Sequence, residues 1–557
     1  MYCPMLHFDT FPLPYWLPTC LLCFGLAWVA LRTRISDNTL LILSLGMLLL
    51  MRLPSLVYNI EINPDESQMI TQSRTLAVDP VYFRSVDGTT IGPLDSYALI
   101  IPSWIGLPYD YISARLLAFC LITLSLLFLY KAAQRWFGQI PARLALLPIL
   151  FTLGLTQNSD LLSYCSELVP LFLLSIGTWL YSTIDTKTRP AYETLFLLGL
   201  LLGMVPLGKI QGAPVAAVLG LFAAISIAKQ PIALLPKVNR LVILGVGALI
   251  VPGAFIAIAW ANGLYNDFWL FYIEGNLRYG GNTNHWQNIL HFPRHMAKGE
   301  EFGWLLTFSA LLTVVAIVRY LTLRHRLVLS GTWAMRLGFI SVSFVAAFYA
   351  ATRTGTEFVH YFFFMVGPVF LLLALGWKVG LVLQGNLINQ WVPIVVTGLF
   401  LGLIVGKGGL NYVRHIPLNH YPNDITGFST PQPVIVQQIK KYAKEGEPLV
   451  VWGWRCDYYV SAKMPQGTAE NHSERCVFES PMTRLYQRRY LKDFMRSVPP
   501  VFVDAVGSQN QWLTDRNTQG YEIIEPLAQF VQTHYQYMGL YNDARLYVRK
   551  DRLTYVD

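Results

Sequence analysis

The chain has 557 residues, of which 54% are hydrophobic and only 13% charged, about half the charge density of an ordinary soluble domain. A mean hydropathy of +0.41 and repeated apolar runs of roughly 17–23 residues, each long enough to cross a bilayer, exclude a soluble enzyme. The net charge of +9 does not make a nucleic-acid binder, because the basic residues are scattered through short loops instead of gathered on one phosphate-binding face.

In chain order, about twelve spans are expected, at 15–31, 39–58, 112–130, 140–156, 166–182, 192–206, 210–228, 240–262, 303–320, 334–351, 359–383 and 391–406. Tyr15–Leu31 lacks a basic leader and a small-residue cleavage site, so it reads as a retained span and not a signal peptide. Alternate loops differ in charge. One set carries Arg32, Arg34, Lys131, Arg135, Arg143, Lys187, Arg189, Lys229, Lys237, Arg240, Arg319, Arg324, Arg326, Arg336 and Lys378, opposed only by Asp37 and Asp185. This is the positive-inside signature of cytoplasmic loops. The other set, 59–111, 157–166, 263–302 and 352–358, then falls outside, as do both termini.

Past 406 the long apolar runs stop. Val434–Lys444 and Tyr486–Arg496 have helical periodicity, while Leu449–Trp454, Val501–Val506, Thr533–Gly539 and Ala544–Arg549 read as strands. The expected fold class is an α-helical polytopic membrane protein with a C-terminal extracytoplasmic α/β domain. Residues 1–406 form the membrane domain with outer loops 59–111 and 263–302, and 407–557 form the outer domain, as a structural cap or as a holder of an acceptor. Cys456 and Cys476 both fall in that domain, where an oxidising compartment permits a disulfide between them or leaves two free thiols.

Chemistry-bearing residues gather in the outer loops. Asn63-Pro64-Asp65-Glu66 follows the second span. Its carboxylates can take a proton from a hydroxyl nucleophile, share a divalent metal, or simply favour a helix N-terminus. Asp160 and Glu167, seven apart, fall on one side if their stretch is helical, and Glu167 at the membrane boundary needs a partner. Lys209, in the turn Pro206–Gly212, opposes the positive-inside trend. It either snorkels to headgroups or holds a phosphate, and Arg115 invites the same two readings. Arg353, Glu357, His360 and Tyr361 bring a guanidinium, a carboxylate and an imidazole to one helix entrance, as an interhelical ion pair or as a phosphate or sugar site.

Several motifs together resemble the polytopic GT-C glycosyltransferases of the protein-mannosyltransferase and lipid A aminoarabinose-transferase type. They are Asp65-Glu66, Gly92-Pro93-Leu94, Ser113-Ala-Arg115-Leu116, Ser166-Glu167-Leu168-Val169-Pro170-Leu171, Gly203-x5-Lys209-x2-Gly212, His360-Tyr361-x6-Pro368 and Val451-Trp452-Gly453-Trp454. The resemblance implies a polyprenyl-phosphate-linked sugar donor used at the outer leaflet, an acceptor of unknown kind, and glycosyl transfer with inversion, in a bacterial inner membrane. It implies Asp65 as the catalytic carboxylate with Glu66 in support, and Glu167 or Asp160 as a second acid. Lys209 and Arg115 would hold the donor phosphate, with Arg353, Glu357, His360 and Tyr361 around the pocket. A divalent metal on Asp65 and Glu167 is compatible with this pattern. A secondary transporter or lipid flippase would instead show repeated halves and ionisable groups in mid-membrane, and a noncatalytic scaffold would keep its activity without Asp65.

Overall fold

The computed structural model describes residues 8–9, 11–30, 35–187, 189–279, 284–323, 331–382, 391–419 and 432–555. Arg32, Arg34, Arg324 and Arg326 of the expected basic loops lie outside the described residues. Among the described residues, ten helices are long and apolar enough to cross a membrane, and two shorter apolar helices, Gln139–Leu155 and Tyr192–Gly208, occupy two further expected spans. The protein is an integral, multi-pass membrane protein.

The chain divides into two compact units, the first comprising Met1–Val57, Ala118–Phe255 and Gly280–Ile425. It is built around Phe363–Val382, the most buried of the spans, which packs against Gln139–Leu155, Leu168–Asp185, Glu300–Leu323 and Gly331–Thr352. Small residues allow the closest approach. A methyl group at Gly199 or Gly203 would come within 2.1 Å of the carbonyl oxygen of Leu244 or Ala248, so the two backbones can meet only because these positions are bare. The two acids expected among the basic loops each take an arginine. Asp37 binds Arg143 at 2.6 Å and Asp185 binds Arg336 at 2.8 Å.

The second unit comprises Tyr58–Leu117, Ile256–Tyr279 and Thr426–Asp557. The first large loop therefore forms one compact body with the tail instead of belonging to the membrane domain, as the expected boundary at 406 would have it. Its central sheet has the order β1-β2-β4-β3, with β1 (Leu449–Trp452), β2 (Val501–Asp504), β3 (Tyr535–Tyr541) and β4 (Ala544–Arg549). Leu449 pairs with Val501 in the parallel β1/β2 ladder, and Val501 with Val548 in the antiparallel β2/β4 ladder. Alternation along the strands sends Val450, Trp452 and Phe502 into one apolar cluster and Leu449, Val451, Val501 and Val503 into another. Cys476 is in the first cluster and Cys456 in the second. Both are free thiols, the unbridged one of the two expected alternatives, and burial pushes both pKa values well up.

Pro64–Val78 is a helix whose polar side chains are buried, among them Glu66, Ser67, Gln68, Thr71, Gln72 and Ser73. It persists because partners are supplied from far along the chain. Asn471 Nδ2 donates to the carbonyl of Gln68 at 2.9 Å, the Gln466 N–H donates to Thr75 Oγ1 at 3.0 Å, and Ser96 Oγ donates to Gln72 Oε1 at 2.8 Å. Arg489 closes the same unit. Its guanidinium reaches both Asp87 and Glu470 and stacks on Phe271, 3.3 Å from the ring centre. Burial lifts the Glu470 carboxyl to about 7, with Arg489 opposing and Asp87 adding to the rise.

Candidate active site

In the second unit the acidic turn opens the helix Pro64–Val78. Asn63 Oδ1 accepts the Asp65 N–H at 2.9 Å and Pro64 occupies the first turn, so local sequence alone starts this helix. The two acids then diverge. Glu66 is wholly buried and grips Arg115 at 2.7 Å. Arg115 also donates to the carbonyls of Tyr58 (3.0 Å) and Ile60 (2.6 Å), which pins the approach to the turn. Asp65 keeps part of its surface exposed.

A third carboxylate, Glu61, stands beside them. It accepts a short hydrogen bond from Ser67 Oγ, and Ser67 Oγ is 3.0 Å from Tyr111 Oη. Burial, then the neighbouring Asp457, lifts the Glu61 carboxyl to about 8 against the pull of Ser67 and Arg455. Arg455 and Asp457 form a two-pronged pair at 2.9 and 2.8 Å.

In the first unit five expected residues come together. Lys209 Nζ is 2.6 Å from Glu167 Oε1 and donates to Ser166 Oγ at 2.6 Å, and it stands 5.1 Å from the centre of the Tyr361 ring. His360 Nδ1 is 3.4 Å from Asp160 Oδ2, and its Nε2 is 4.0 Å from Glu167 Oε1. Asp160 also accepts the Val359 N–H at 2.9 Å. Burial alone would lift the Asp160 carboxyl, but the adjoining His360 ring and the Val359 N–H outweigh it and hold it below its ordinary value.

Each group arrives from an element end. Glu167 precedes the helix Leu168–Asp185, Lys209 follows Tyr192–Gly208, and His360 sits in the short turn Val359–Phe362. Gly212 lets this junction close, since a methyl group there would meet Val205 Cγ1 at 2.8 Å.

No family model matches the sequence, and no curated protein matches it. Solved structures that resemble the chain over nearly its whole length include two of one protein. ArnT from Cupriavidus metallidurans bound to undecaprenyl phosphate gives a TM-score of 0.54 at 14% identity, over 92% of this chain and 98% of that one. The apo form of that protein gives 0.52 at 13% identity over the same shares. The chain has the GT-C fold.

Within this GT-C fold, other expected residues stand elsewhere. Glu357 pairs with Lys298 at 2.6 Å, a surface bridge. Arg353 follows the helix Gly331–Thr352, and its carbonyl accepts from Asn288 Nδ2 at 3.1 Å. Among the described residues no group of three or more His, Cys, Asp or Glu is arranged for a metal ion, and on Glu167 the cation is Lys209. Sequence reasoning missed Glu61, Arg455 and Asp457. His295, in the outer loop 263–302, bonds the Phe358 carbonyl at 2.7 Å and stacks on Phe362, fixing the turn that carries His360. Burial holds the His295 ring neutral, its pKa lowered to about 4. The one signal for Arg455 and Asp457 was their position directly after the Trp452-Gly453-Trp454 strand end.

Proposed function

We propose that the protein is a glycosyltransferase that moves a sugar from a polyprenyl-phosphate donor to an acceptor hydroxyl on the extracytoplasmic side of the membrane. The observation that carries this reading is the buried Lys209, held on Glu167 and Ser166 beside Tyr361 and His360. A lysine stays charged in such a place only with a partner. Held there, it is a preorganised cation for a phosphate leaving group. The capture of undecaprenyl phosphate by ArnT, a protein of the same fold, supports that ligand class, and the charge bias of the loops supports the side.

In the reaction the acceptor oxygen bonds to the anomeric carbon from the face opposite the phosphate. The bond from that carbon to the phosphate oxygen breaks, its electron pair leaves on polyprenyl phosphate, and the acceptor proton passes to Asp65. Direct displacement inverts the anomeric centre. Lys209 stabilises the charge on the departing phosphate. Glu167 orients Lys209, and Asp160 orients His360. Glu66 and Arg115 serve as a buried brace for the turn bearing Asp65.

The test is a transfer assay on purified protein with a panel of polyprenyl-phosphate sugars. Transfer from at least one donor, abolished by Asp65→Asn and by Lys209→Ala, is the expected result. Transport in proteoliposomes without transfer would favour the flippase reading. A fully active Asp65→Asn enzyme would remove Asp65 from its role.

A further inference from the structure

The second unit holds a cavity of about 430 Å³ whose walls include Asn59, Arg74, Tyr109, Asp110, Tyr111 and Lys463. That volume falls in the ~300–1,000 Å³ range of small-molecule sites and is several times larger than an isolated phosphate or carboxylate needs. Separate stretches build it: Asn59 and the helix Pro64–Val78, the loop before the helix Tyr111–Phe137, Gln432 and Pro433, and the end of the helix Asp457–Ala462.

Arg74 is the feature that points to a ligand. Its guanidinium donates only to backbone carbonyls, of Tyr109 at 3.2 Å and Lys463 at 3.4 Å. Its Nε is shut off from solvent without a hydrogen-bond partner, and no carboxylate among the described residues forms a salt bridge with it. It lies over the Tyr109 ring, 5.2 Å from its centre. Arg74 is half-buried, and the nearby acids Glu445 and Asp110 act on it through space without forming an ion pair. Lys463 adds a second positive charge at the rim, balanced only by a surface contact to Glu445 at 3.5 Å.

Asp110, the acid in the wall, is already engaged. It accepts from Asn59 Nδ2 at 3.0 Å and from the Ser113 N–H at 2.9 Å, which starts the following helix. Two tyrosines of the wall, Tyr109 and Tyr111, add hydroxyl groups of the kind that serve a polyol. Ser67 and Arg74 are seven residues apart, hence on one face of their helix and about 10 Å apart along it. The cavity shares Tyr111 with the Glu61–Ser67–Tyr111 chain.

We infer that this cavity binds a saccharide bearing an anionic group, a carboxylate or a phosphate ester, with Arg74 as its charged partner. Its role as an acceptor pocket rests on the proposed transferase reading; the binding itself does not.

The test measures binding without turnover, on the purified full-length protein, by ligand-detected NMR. The probes are D-glucuronate, glucose 6-phosphate, glucose and inorganic phosphate. The expected result is that at least one charged sugar binds at least tenfold more tightly than both glucose and inorganic phosphate. Arg74→Gln should abolish that preference, and Lys463→Asn, at a position whose left-handed backbone Asn tolerates, should weaken it by about threefold, as a rim charge does. Equal binding of glucose, equal binding of inorganic phosphate, or unchanged affinity in both variants would overturn the inference. Charged-sugar binding by a wild-type protein that transfers from no polyprenyl-phosphate donor would leave the inference standing with the transferase reading overturned, and so separates the two failures.

Discussion

Lys209 Nζ and Glu167 Oε1 stand 2.6 Å apart, with both side chains almost wholly out of contact with solvent. Removing one member of such a pair strands a buried charge, at a cost of about 3–5 kcal/mol. Lys209→Met should therefore lower stability by that amount as well as abolish transfer. The double variant Lys209→Met/Glu167→Gln should regain most of the stability and none of the activity. Thermal unfolding in detergent, run beside the transfer assay, separates the two effects.

Glu66 and Arg115 make the contrasting case of a pair assigned to architecture. Arg115→Met should cost about 3–5 kcal/mol, and Arg115→Met/Glu66→Met should recover much of it. The folded double variant should keep its KM for the donor within about threefold. A large rise in donor KM at full stability would return Arg115 to the phosphate.

Asp65→Asn keeps the shape of the turn and removes the proposed proton acceptor. General-base catalysis contributes about 10²–10⁴ in rate, so kcat should fall by that factor with stability and donor affinity held. Single-turnover measurements at saturating donor read this directly.

Glu61 supplies a pH signature. Its carboxyl is raised from the ordinary value of 4.5 to about 8, so the folded protein holds a proton there that the unfolded chain releases. The stabilisation is full below about 4.5 and is lost as pH rises through 8. The unfolding temperature should decline between these limits, and Glu61→Gln should flatten that part of the curve. An unchanged profile would place the carboxyl near its ordinary value.

The two thiols of the tail give a redox test. Alkylation of the denatured, unreduced protein should label both Cys456 and Cys476, and a reducing agent should leave the unfolding temperature unmoved. Protection of both until reduction would restore the disulfide.

The membrane helices and the tail strands were legible because each follows from a local pattern. An apolar run of bilayer length announces a span, a short continuous apolar run announces β1 and β2, though each ends before the residue expected, and alternation announces β4. The grouping of Asp160, Glu167, Lys209, His360 and Tyr361 was legible for a related reason, since all sit at helix ends that the charge bias had assigned to one face. Pairings across great sequence distance were not. Nothing near Asp87 in the sequence announces Arg489, and nothing near Glu61 announces Asp457. The pairing of Glu66 with Arg115 also escaped, because adjacent helical residues point about 100° apart and only the tertiary fold says which faces Arg115.

The helix that begins with Asp65 has a consequence for biosynthesis. Its buried polar face is completed from the tail, as where Thr71 meets the carbonyl of Cys456 across 385 residues of chain. Translation at roughly 5–20 residues per second leaves that face without its partners for roughly 20–80 s. During that interval the segment is a nascent loop open to proteolysis, and a chain stopped before residue 456 would never close it. The proposed catalytic carboxylate is made early and gains its setting late, so on that reading an incomplete chain is also an inactive one.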